Sequence, residues 1–389
     1  MLNIFGGKLT AAMQALMKVA ITLNTSWNIY NFRLGLIKAF INEGHEVLAI
    51  APIDSFSKKI EKAGCTFVPI ALDNTGSNPF KDYLLLQELK SVFRSHRPDI
   101  VLNFTIKPNI YGTLAAKQLK IPVINNVSGL GTVFLARGLT SMVAKQLYRW
   151  SFSRANLVFF QNSDDLKVFQ AEINLPKLKT DLLPGSGINL SHFQATGQRE
   201  SEYTTFLLIA RLIKEKGITE YIKAAKLIKE IYPGTKIQLL GKLDPSHVRG
   251  ISKEEIDESI QSGAIEYLGE VEDVRPYIAN ASCVVLPSYG EGTPRTLLEA
   301  AALRRPVITT NVAGCREVIV DGETGLMCEV KNVNDLADKM KRICTMSTRQ
   351  LDEWGKNGRA LVEEKFDEQL VISRYLSHMA NIMNQISHE

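Results

Sequence analysis

Two glutamates, Glu291 and Glu299, flank the predicted start of a helix that follows the buried run CVVLPS at 283–288. Thr293 is a favourable N-cap, and Pro294 suits the first helical position. The free N–H groups and the positive dipole end of such a helix attract phosphate, while carboxylates accept hydrogen bonds from sugar hydroxyls. The pattern therefore indicates a site for a phosphorylated sugar, although a loop carboxylate and a solvated helix residue would also place two glutamates here.

Two cations follow another buried run in the same half of the chain. Arg211 and Lys216 lie on the loop after TFLLIA, and Gly241 closes the next run, IQLLG. Because the carboxyl ends of parallel strands share one edge of a sheet, we expect these residues to meet Glu291. Two cations at that edge would neutralise a diphosphate leaving group; the alternative is a pair of solvated surface charges.

Short apolar runs alternate with helical patterns twice along the chain, and the pattern breaks at residues 185–203, which read as a linker. Near-continuous apolar strands separated by helices predict parallel sheets covered on both faces. The sequence therefore predicts an α/β protein with two Rossmann-like, doubly wound parallel-sheet domains that face each other across a ligand cleft. Phe134 and Leu190 stand where a dinucleotide-binding fingerprint needs its third glycine, which disfavours an oxidoreductase.

The composition is that of a globular protein from a reducing compartment. No apolar stretch reaches the roughly 20 residues that span a bilayer, no secretory signal is recognisable, and the five cysteines form no C-x-x-C motif. We therefore expect a cytoplasmic protein, with residues 1–16 as an extension before the fold. Residues 1–190 carry 21 Lys and Arg against 12 Asp and Glu, a net charge of +9; this predicts an anionic partner, unless the excess is only solvated charge.

Several motifs resemble the GT-B glycosyltransferases of family 4, from about Met17 to the C-terminus. They are Arg211…Lys216-Gly217, Gly241, Glu291 with Glu299, Pro184-x-x-Gly187-Ile188-Asn189…Phe193, and Gly314…Glu317. The segments Ile29-Tyr30-Asn31-Phe32-Arg33 and Gly129-Leu130-Gly131 are most similar to the bacterial branch that extends undecaprenyl-diphosphate-linked sugars. That branch includes N-acetylgalactosaminyltransferases of protein-glycosylation and capsule pathways.

The resemblance implies what each domain does. Residues 1–190 would bind the acceptor, residues 191–365 the nucleotide sugar, and residues 366–389 would form a C-terminal helix that crosses back to the first domain. The implied reaction transfers a sugar, expected to be an N-acetylhexosamine, from a UDP-sugar to an undecaprenyl-diphosphate-linked glycan with retention of configuration. No metal, other cofactor or nucleic acid is implied.

The resemblance also implies the site residues. Arg211 and Lys216 would contact the donor diphosphate, Glu299 the ribose hydroxyls and Glu291 the transferred sugar. The residues expected to be catalytic are Glu291, Arg211 and Lys216; further donor contacts are expected from Gly241, Gly292, Thr293 and Pro294. The residues expected to bind the acceptor are Tyr30, Arg33, Lys107, Gly129 and Gly131.

Two departures from the family pattern bear on mechanism. The segment Thr25-Ser26-Trp27-Asn28 replaces a glycine-rich first loop, and Ile106 stands where many relatives place a histidine near the sugar. Without that histidine, the departing phosphate would accept the acceptor's proton on the same face. Lys107, next to Ile106, is a candidate phosphate ligand unless it is merely exposed.

The segment 137–154 mixes basic with apolar and aromatic residues. The basic ones are Arg137, Lys145, Arg149 and Arg154, among Leu139, Met142, Val143, Leu147, Tyr148, Trp150 and Phe152. Such a helix suits an anionic membrane surface, so we expect peripheral contact with the inner face of the cytoplasmic membrane. A core helix with a charged outer face would fit the periodicity equally well.

Two other functions are compatible with two Rossmann-like domains. One is an enzyme resembling UDP-N-acetylglucosamine 2-epimerase, and the other is a non-catalytic sugar-binding protein of the periplasm. The missing export signal and the combination of Arg, Lys and paired Glu argue against the second.

Overall fold

The computed structural model describes residues 16–74, 78–130, 139–173, 175, 179–197, 202–245 and 249–388. These ranges form two parallel sheets flanked by helices, which confirms the predicted fold class. None of the helices within the described ranges is both long enough and apolar enough to cross a bilayer.

The first sheet has seven parallel strands in the order β3-β2-β1-β4-β5-β6-β7. The strands are β1 (Lys18–Thr22), β2 (Glu46–Ala51), β3 (Thr66–Pro69), β4 (Ile100–Phe104), β5 (Val123–Val127), β6 (Leu157–Phe160) and β7 (Thr180–Leu182). Their central strands are buried on both faces, as expected for parallel strands rich in Val, Ile, Leu and Phe.

Helices cover both faces of this sheet. They are α1 (Ser26–Asn42), α2 (Ser57–Glu61), α3 (Pro79–His96), α4 (Thr113–Gln118), α5 (Leu139–Phe152) and α6 (Ser163–Ile173), and a π-helical turn (Pro108–Gly112) precedes α4. The first helix begins where it does because the Thr25 side chain accepts a hydrogen bond from the Asn28 N–H, which satisfies a free donor of its first turn.

The second sheet has six parallel strands in the order β10-β9-β8-β11-β12-β13. The strands are β8 (Thr205–Ile209), β9 (Lys236–Leu240), β10 (Glu266–Tyr267), β11 (Cys283–Leu286), β12 (Val307–Thr310) and β13 (Gly325–Cys328). The helices of this domain are α7 (Ile218–Ile231), α8 (Lys253–Gln261), α9 (Arg275–Asn280), α10 (Arg295–Ala302), α11 (Val333–Cys344) and α12 (Thr348–Lys365).

The last helix, α13 (Glu368–Ser387), returns to the first domain. Its apolar face, which includes the fully buried Tyr375, belongs to the hydrophobic core of the first sheet. At the crossing, the Ile188 N–H donates to the Phe366 carbonyl at 2.8 Å, and the Glu368 N–H donates to the Ile188 carbonyl at 3.1 Å. The two chain segments that join the domains are therefore hydrogen-bonded side by side.

Each sheet has one point where the strand order reverses, between β1 and β4 in the first and between β8 and β11 in the second. Ligands of such folds bind beyond the carboxyl ends of the strands at this reversal, because the two connections diverge and leave a crevice. Asn24 and Thr105 follow β1 and β4, while Arg211 and Glu291 follow β8 and β11.

The carboxyl edges of the two sheets touch at Gly292. The Asn162 amide nitrogen donates to the Gly292 carbonyl at 3.0 Å, and the Thr293 hydroxyl donates to the Gln161 carbonyl at 3.2 Å. A Cβ atom on Gly292 would lie 2.3 Å from the Ser128 carbonyl oxygen and 2.8 Å from Gln161 Oε1. Only glycine lets the domains approach this closely.

We expect Gly292→Ala to hold the cleft further open, because the added methyl group would overlap the Ser128 carbonyl. Small-angle X-ray scattering should show a larger radius of gyration than that of the unmodified protein, while the melting temperature changes little. Gly290→Ala is the matched control, since a Cβ atom at Gly290 meets nothing within 4 Å. Identical scattering curves for the three proteins would contradict the expectation.

Candidate functional site

A buried ion pair lies at the strand reversal of the second sheet. The Lys216 ammonium group contacts Glu291 Oε1, and the two side chains are 20% and 13% exposed. Lys216 ends the 3₁₀ turn Lys214–Lys216 and precedes Gly217, whose φ is +71° and whose Cβ would lie 2.1 Å from the Pro287 carbonyl oxygen. The close approach of Gly217 to the strand end brings Lys216 against Glu291, so this predicted pair does come together.

Arg211 lies on the same loop but has a different environment. It is exposed, and its guanidinium makes no hydrogen bond or ion pair with the described part of the chain. Whereas Lys216 is paired with Glu291, Arg211 has no carboxylate partner among the described residues, so its charge is available to an anionic ligand at this edge.

The helix after Glu291 starts one residue later than predicted. Its N-cap is Pro294, in an extended conformation, and Thr293 does not cap it. The predicted Thr293 cap was wrong because the Thr293 hydroxyl donates instead across the domain boundary to the Gln161 carbonyl. On the other side of the loop, a Cβ atom on Gly314 would lie 2.2 Å from the Gly292 carbonyl oxygen. The loop is therefore enclosed by both domains.

Glu299 is not a solvated helix residue. Its side chain is 13% exposed and forms a 2.9 Å ion pair with Arg295 one turn earlier on α10. Burial raises the pKa of Glu299 above its usual range, and the Arg295 cation offsets only part of that rise. The Arg295 guanidinium also lies 5.2 Å from the ring of Phe32 on α1. Sequence reasoning missed Arg295, although its i,i+4 spacing to Glu299 is a recognisable signal for a helical ion pair.

The backbone at position 241 can accommodate only glycine. Its φ is +150°, and a Cβ atom would lie 1.8 Å from the Ala210 carbonyl oxygen. The Tyr267 hydroxyl donates to the Gly241 carbonyl at 2.8 Å. The residue lets the ends of β8 and β9 approach each other; its contact with a donor stays a prediction.

On the first domain, Tyr30 and Arg33 differ in environment. The Tyr30 ring packs against Phe56 at a centroid distance of 5.4 Å, on the flank of α1. Arg33 is only 4% exposed, and its guanidinium lies 4.2 Å from the Phe104 ring centroid. Burial lowers the pKa of Arg33 to about 10; nearby Tyr375 opposes this shift, and the Arg295 cation adds to it.

The other predicted acceptor residues are also placed differently from one another. Lys107 forms a 2.7 Å ion pair with Asp82, and both side chains are mostly buried, so its ammonium group already has a counter-charge. Gly129 has φ +129°, and a Cβ atom there would lie 3.6 Å from the Gly292 amide nitrogen. The first domain thus meets the donor loop at Gly129, while Gly131 lies outside the described residues.

The basic side chains of helix α5, and Arg154 just beyond its end, bond to other groups of the first domain. Lys145 pairs with Glu172 at 2.8 Å, the Arg149 Nε donates to the Ile173 carbonyl at 2.8 Å, and Arg154 donates to the Trp150 carbonyl. Three apolar side chains of the helix point outward, with Met142 67%, Val143 54% and Trp150 47% exposed, alongside the exposed Gln146 and Arg149. Tyr148 is buried, and Arg137 lies outside the described ranges.

In the described ranges, no group of three or more His, Cys, Asp or Glu side chains is placed to hold a metal ion. The groups that the described residues bring to the cleft are the Lys216–Glu291 pair, Arg211 without a partner among these residues, the Arg295–Glu299 pair and the backbone of the Gly292 loop. These are hydrogen-bonding and cationic groups suited to a phosphorylated sugar.

Comparison with known proteins identifies the family to which this chain belongs. Residues 18–162 match the model "Glycosyl transferase 4-like", and residues 192–361 match "Glycosyl transferases group 1". The chain is 28% identical over 387 residues to the N,N'-diacetylbacillosaminyl-diphospho-undecaprenol α-1,3-N-acetylgalactosaminyltransferase of Campylobacter jejuni, covering 95% of this chain and all of that one. It is also 28% identical to the capsular polysaccharide biosynthesis glycosyltransferase CapM of Staphylococcus aureus, over 75% of this chain and 80% of CapM.

A solved structure shares the fold. HepE of Anabaena, crystallised with UDP and glucose, superposes with a TM-score of 0.77 at 16% identity, covering 94% of this chain and all of HepE. These relatives support neither the epimerase alternative nor a non-catalytic binding protein, since both family models describe glycosyltransferases. The chain is a GT-B glycosyltransferase, in which a glycosyltransferase 4-like domain is followed by a glycosyltransferase group 1 domain.

Proposed function

We propose that this glycosyltransferase moves an N-acetylhexosamine from a UDP-sugar to a lipid-diphosphate-linked glycan with retention of configuration. The observation that carries the proposal is the Lys216–Glu291 ion pair at the strand reversal of the second sheet, with Arg211 on the same loop and without a partner among the described residues. The name of the Campylobacter jejuni relative, which specifies an undecaprenol-diphosphate acceptor and an N-acetylgalactosaminyl group, supports the choice of substrates.

In the proposed reaction, the bond between the sugar's anomeric carbon and the donor phosphate breaks, and its electron pair stays on the phosphate oxygen. Arg211 and Lys216 stabilise the charge that develops there, while Glu291 and the backbone of Gly292 hold the sugar. The acceptor hydroxyl forms the new bond on the same face and gives its proton to the departing phosphate. Ile106, 37% exposed at the position where the family resemblance implies a histidine, offers no competing base.

The carboxylate of Glu299 is proposed to accept hydrogen bonds from the ribose hydroxyls. Its burial makes such bonds stronger than they would be in water, and the ion pair with Arg295 holds it in one orientation. Arg295 is therefore a positioning residue for the nucleotide, and its contact with Phe32 links that position to the first domain.

Arg211→Gln should weaken UDP binding about ten- to hundredfold, because a charge-assisted hydrogen bond to phosphate is lost. The melting temperature of the free protein should not fall, since Arg211 has no partner in the described structure that would be left unpaired. Isothermal titration with UDP measures the effect. Lys214→Gln is the matched control, an exposed cation of the same loop. Equal UDP affinities for both variants and the unmodified enzyme would refute the donor-site assignment.

We further propose that the enzyme acts peripherally at the inner face of the cytoplasmic membrane, where a lipid-linked acceptor is held. The exposed apolar side chains of α5 support this, since they would insert among lipid headgroups. The basic residues of the helix contribute less than their number suggests, because Lys145 and Arg149 already have partners.

Accordingly, the double substitution Met142→Gln and Val143→Gln should reduce binding to vesicles of anionic phospholipid by roughly tenfold, because apolar surface no longer leaves water. Vesicle co-sedimentation measures this. Ile260→Gln on α8, which is 42% exposed in the second domain, serves as the control. Unchanged co-sedimentation of the double variant would rule out α5 as the membrane contact.

A further inference from the structure

Buried polar atoms without partners collect where the first sheet reverses its strand order. Asn24 Oδ1, Thr105 Oγ1 and Arg33 Nε are all buried and accept or donate no hydrogen bond within the described part of the chain. The same holds for Thr22 Oγ1 and Asn103 Oδ1, just before the strand ends. Thr22 pairs with Asn103 in the β1–β4 register, which places the following residues of both strands side by side. Polar groups are rarely buried without partners, because each has lost its water and gained nothing in return.

Arg33 is the most unfavourable of these buried groups. It is a fully charged side chain, 4% exposed, stacked on Phe104 at the end of β4. Arg33 forms no ion pair with the described residues, and Glu368, which lies against Gly35 of the same helix, accepts from the Asn189 amide at 2.5 Å. A buried cation without a counter-charge is destabilising, and its lowered pKa reflects that cost.

Thr105 adds a second unfavourable feature at the same place. Its φ is +68°, a left-handed conformation that a β-branched residue rarely adopts. Its hydroxyl oxygen is among the unpartnered atoms. Neither the strain nor the unpaired hydroxyl stabilises the free protein, so both are expected to serve a ligand.

The ligand that would satisfy this set is an anion that also carries hydroxyl groups. A guanidinium binds phosphate through paired N–H donors, a threonine hydroxyl donates to a phosphate oxygen, and an amide carbonyl accepts from a sugar hydroxyl. The donor diphosphate already has cations at the opposite sheet edge, in Arg211 and Lys216. Lys107, the expected phosphate ligand of the first domain, is paired with Asp82. Arg33 is buried at the strand reversal without an ion-pair partner among the described residues, so it is the candidate cation for a second diphosphate.

We propose that the crevice between the ends of β1 and β4 binds the diphosphate of the lipid-linked acceptor. Arg33 is its cationic ligand, Thr105 donates a hydrogen bond to it, and Asn24 accepts one from the adjoining sugar. This assignment rests on the proposed function for the identity of the acceptor. The site itself, as a second diphosphate site distinct from that of UDP, is tested without it.

The test is titration of the full chain with inorganic pyrophosphate in the presence of saturating UDP, so that the donor cations are occupied. The unmodified protein should bind pyrophosphate under these conditions. Arg33→Met should bind it about ten- to hundredfold more weakly, and its melting temperature should be equal or higher, because an unpaired buried charge is replaced by an apolar chain of similar length. A residue needed only for structure would lower the melting temperature instead.

Two further variants complete the experiment. Arg94→Met, an exposed cation at the far end of α3, should bind pyrophosphate like the unmodified protein. Thr105→Gly relieves the left-handed backbone, so folding is not at risk, and it should weaken pyrophosphate binding a few-fold. The proposal is overturned if UDP abolishes pyrophosphate binding to the unmodified protein, or if neither Arg33→Met nor Thr105→Gly weakens it.

A transfer assay distinguishes whether Arg33 binds the diphosphate of the acceptor or that of the donor. With a prenyl-diphosphate-linked sugar as acceptor, Arg33→Met should raise the KM for the acceptor and leave that for the UDP-sugar unchanged. A rise in the donor KM alone would assign Arg33 to the donor and overturn the proposal. If no transfer occurs with the unmodified enzyme, the proposed function fails, while the pyrophosphate titration still decides whether the second site exists.

Discussion

The backbone of Gly292 lies between the two domains with no room for a side chain: a Cβ atom would lie 2.3 Å from the Ser128 carbonyl of the first domain, and Gly314 of the second domain presses on its carbonyl from the other side. Asn162 and Thr293 add hydrogen bonds across the same boundary. The position of Glu291, one residue earlier, depends on this contact. The alignment of the two strand reversals, where the ligands of such sheets bind, depends on the same contact.

The charges of the cleft follow from that geometry. Lys216, Arg295 and Lys107 each have a carboxylate partner, Glu291, Glu299 and Asp82 respectively. Arg211 and Arg33 have none among the described residues, and one lies on each domain. The proposed reaction brings together two diphosphates, one on the donor and one on the acceptor. These two arginines on facing domains would match the two anions of the proposed reaction, and the desolvation of Arg33 would be the cost of keeping the proposed acceptor site ready.

Much of the fold could be predicted from sequence, because near-continuous apolar runs and helical periodicity are local signals. The contact between Lys216 and Glu291 was also predictable, since the carboxyl ends of parallel strands lie at the same edge of a sheet. The Thr293 cap was predicted wrongly because its hydroxyl partner, Gln161, belongs to the other domain. Neither the burial of Arg33 nor the ion pair of Lys107 with Asp82 could be predicted, because a sequence pattern identifies a charged residue but not the side chains that pack around it.

The most direct measurement of the central claim is the fate of the donor sugar when the unmodified enzyme is given a UDP-N-acetylhexosamine and a prenyl-diphosphate-linked sugar. The proposed reaction should release one UDP for each sugar transferred, and NMR should show that the new linkage keeps the anomeric configuration of the donor. An inverted linkage, or free epimerised sugar formed from the donor alone, would contradict it.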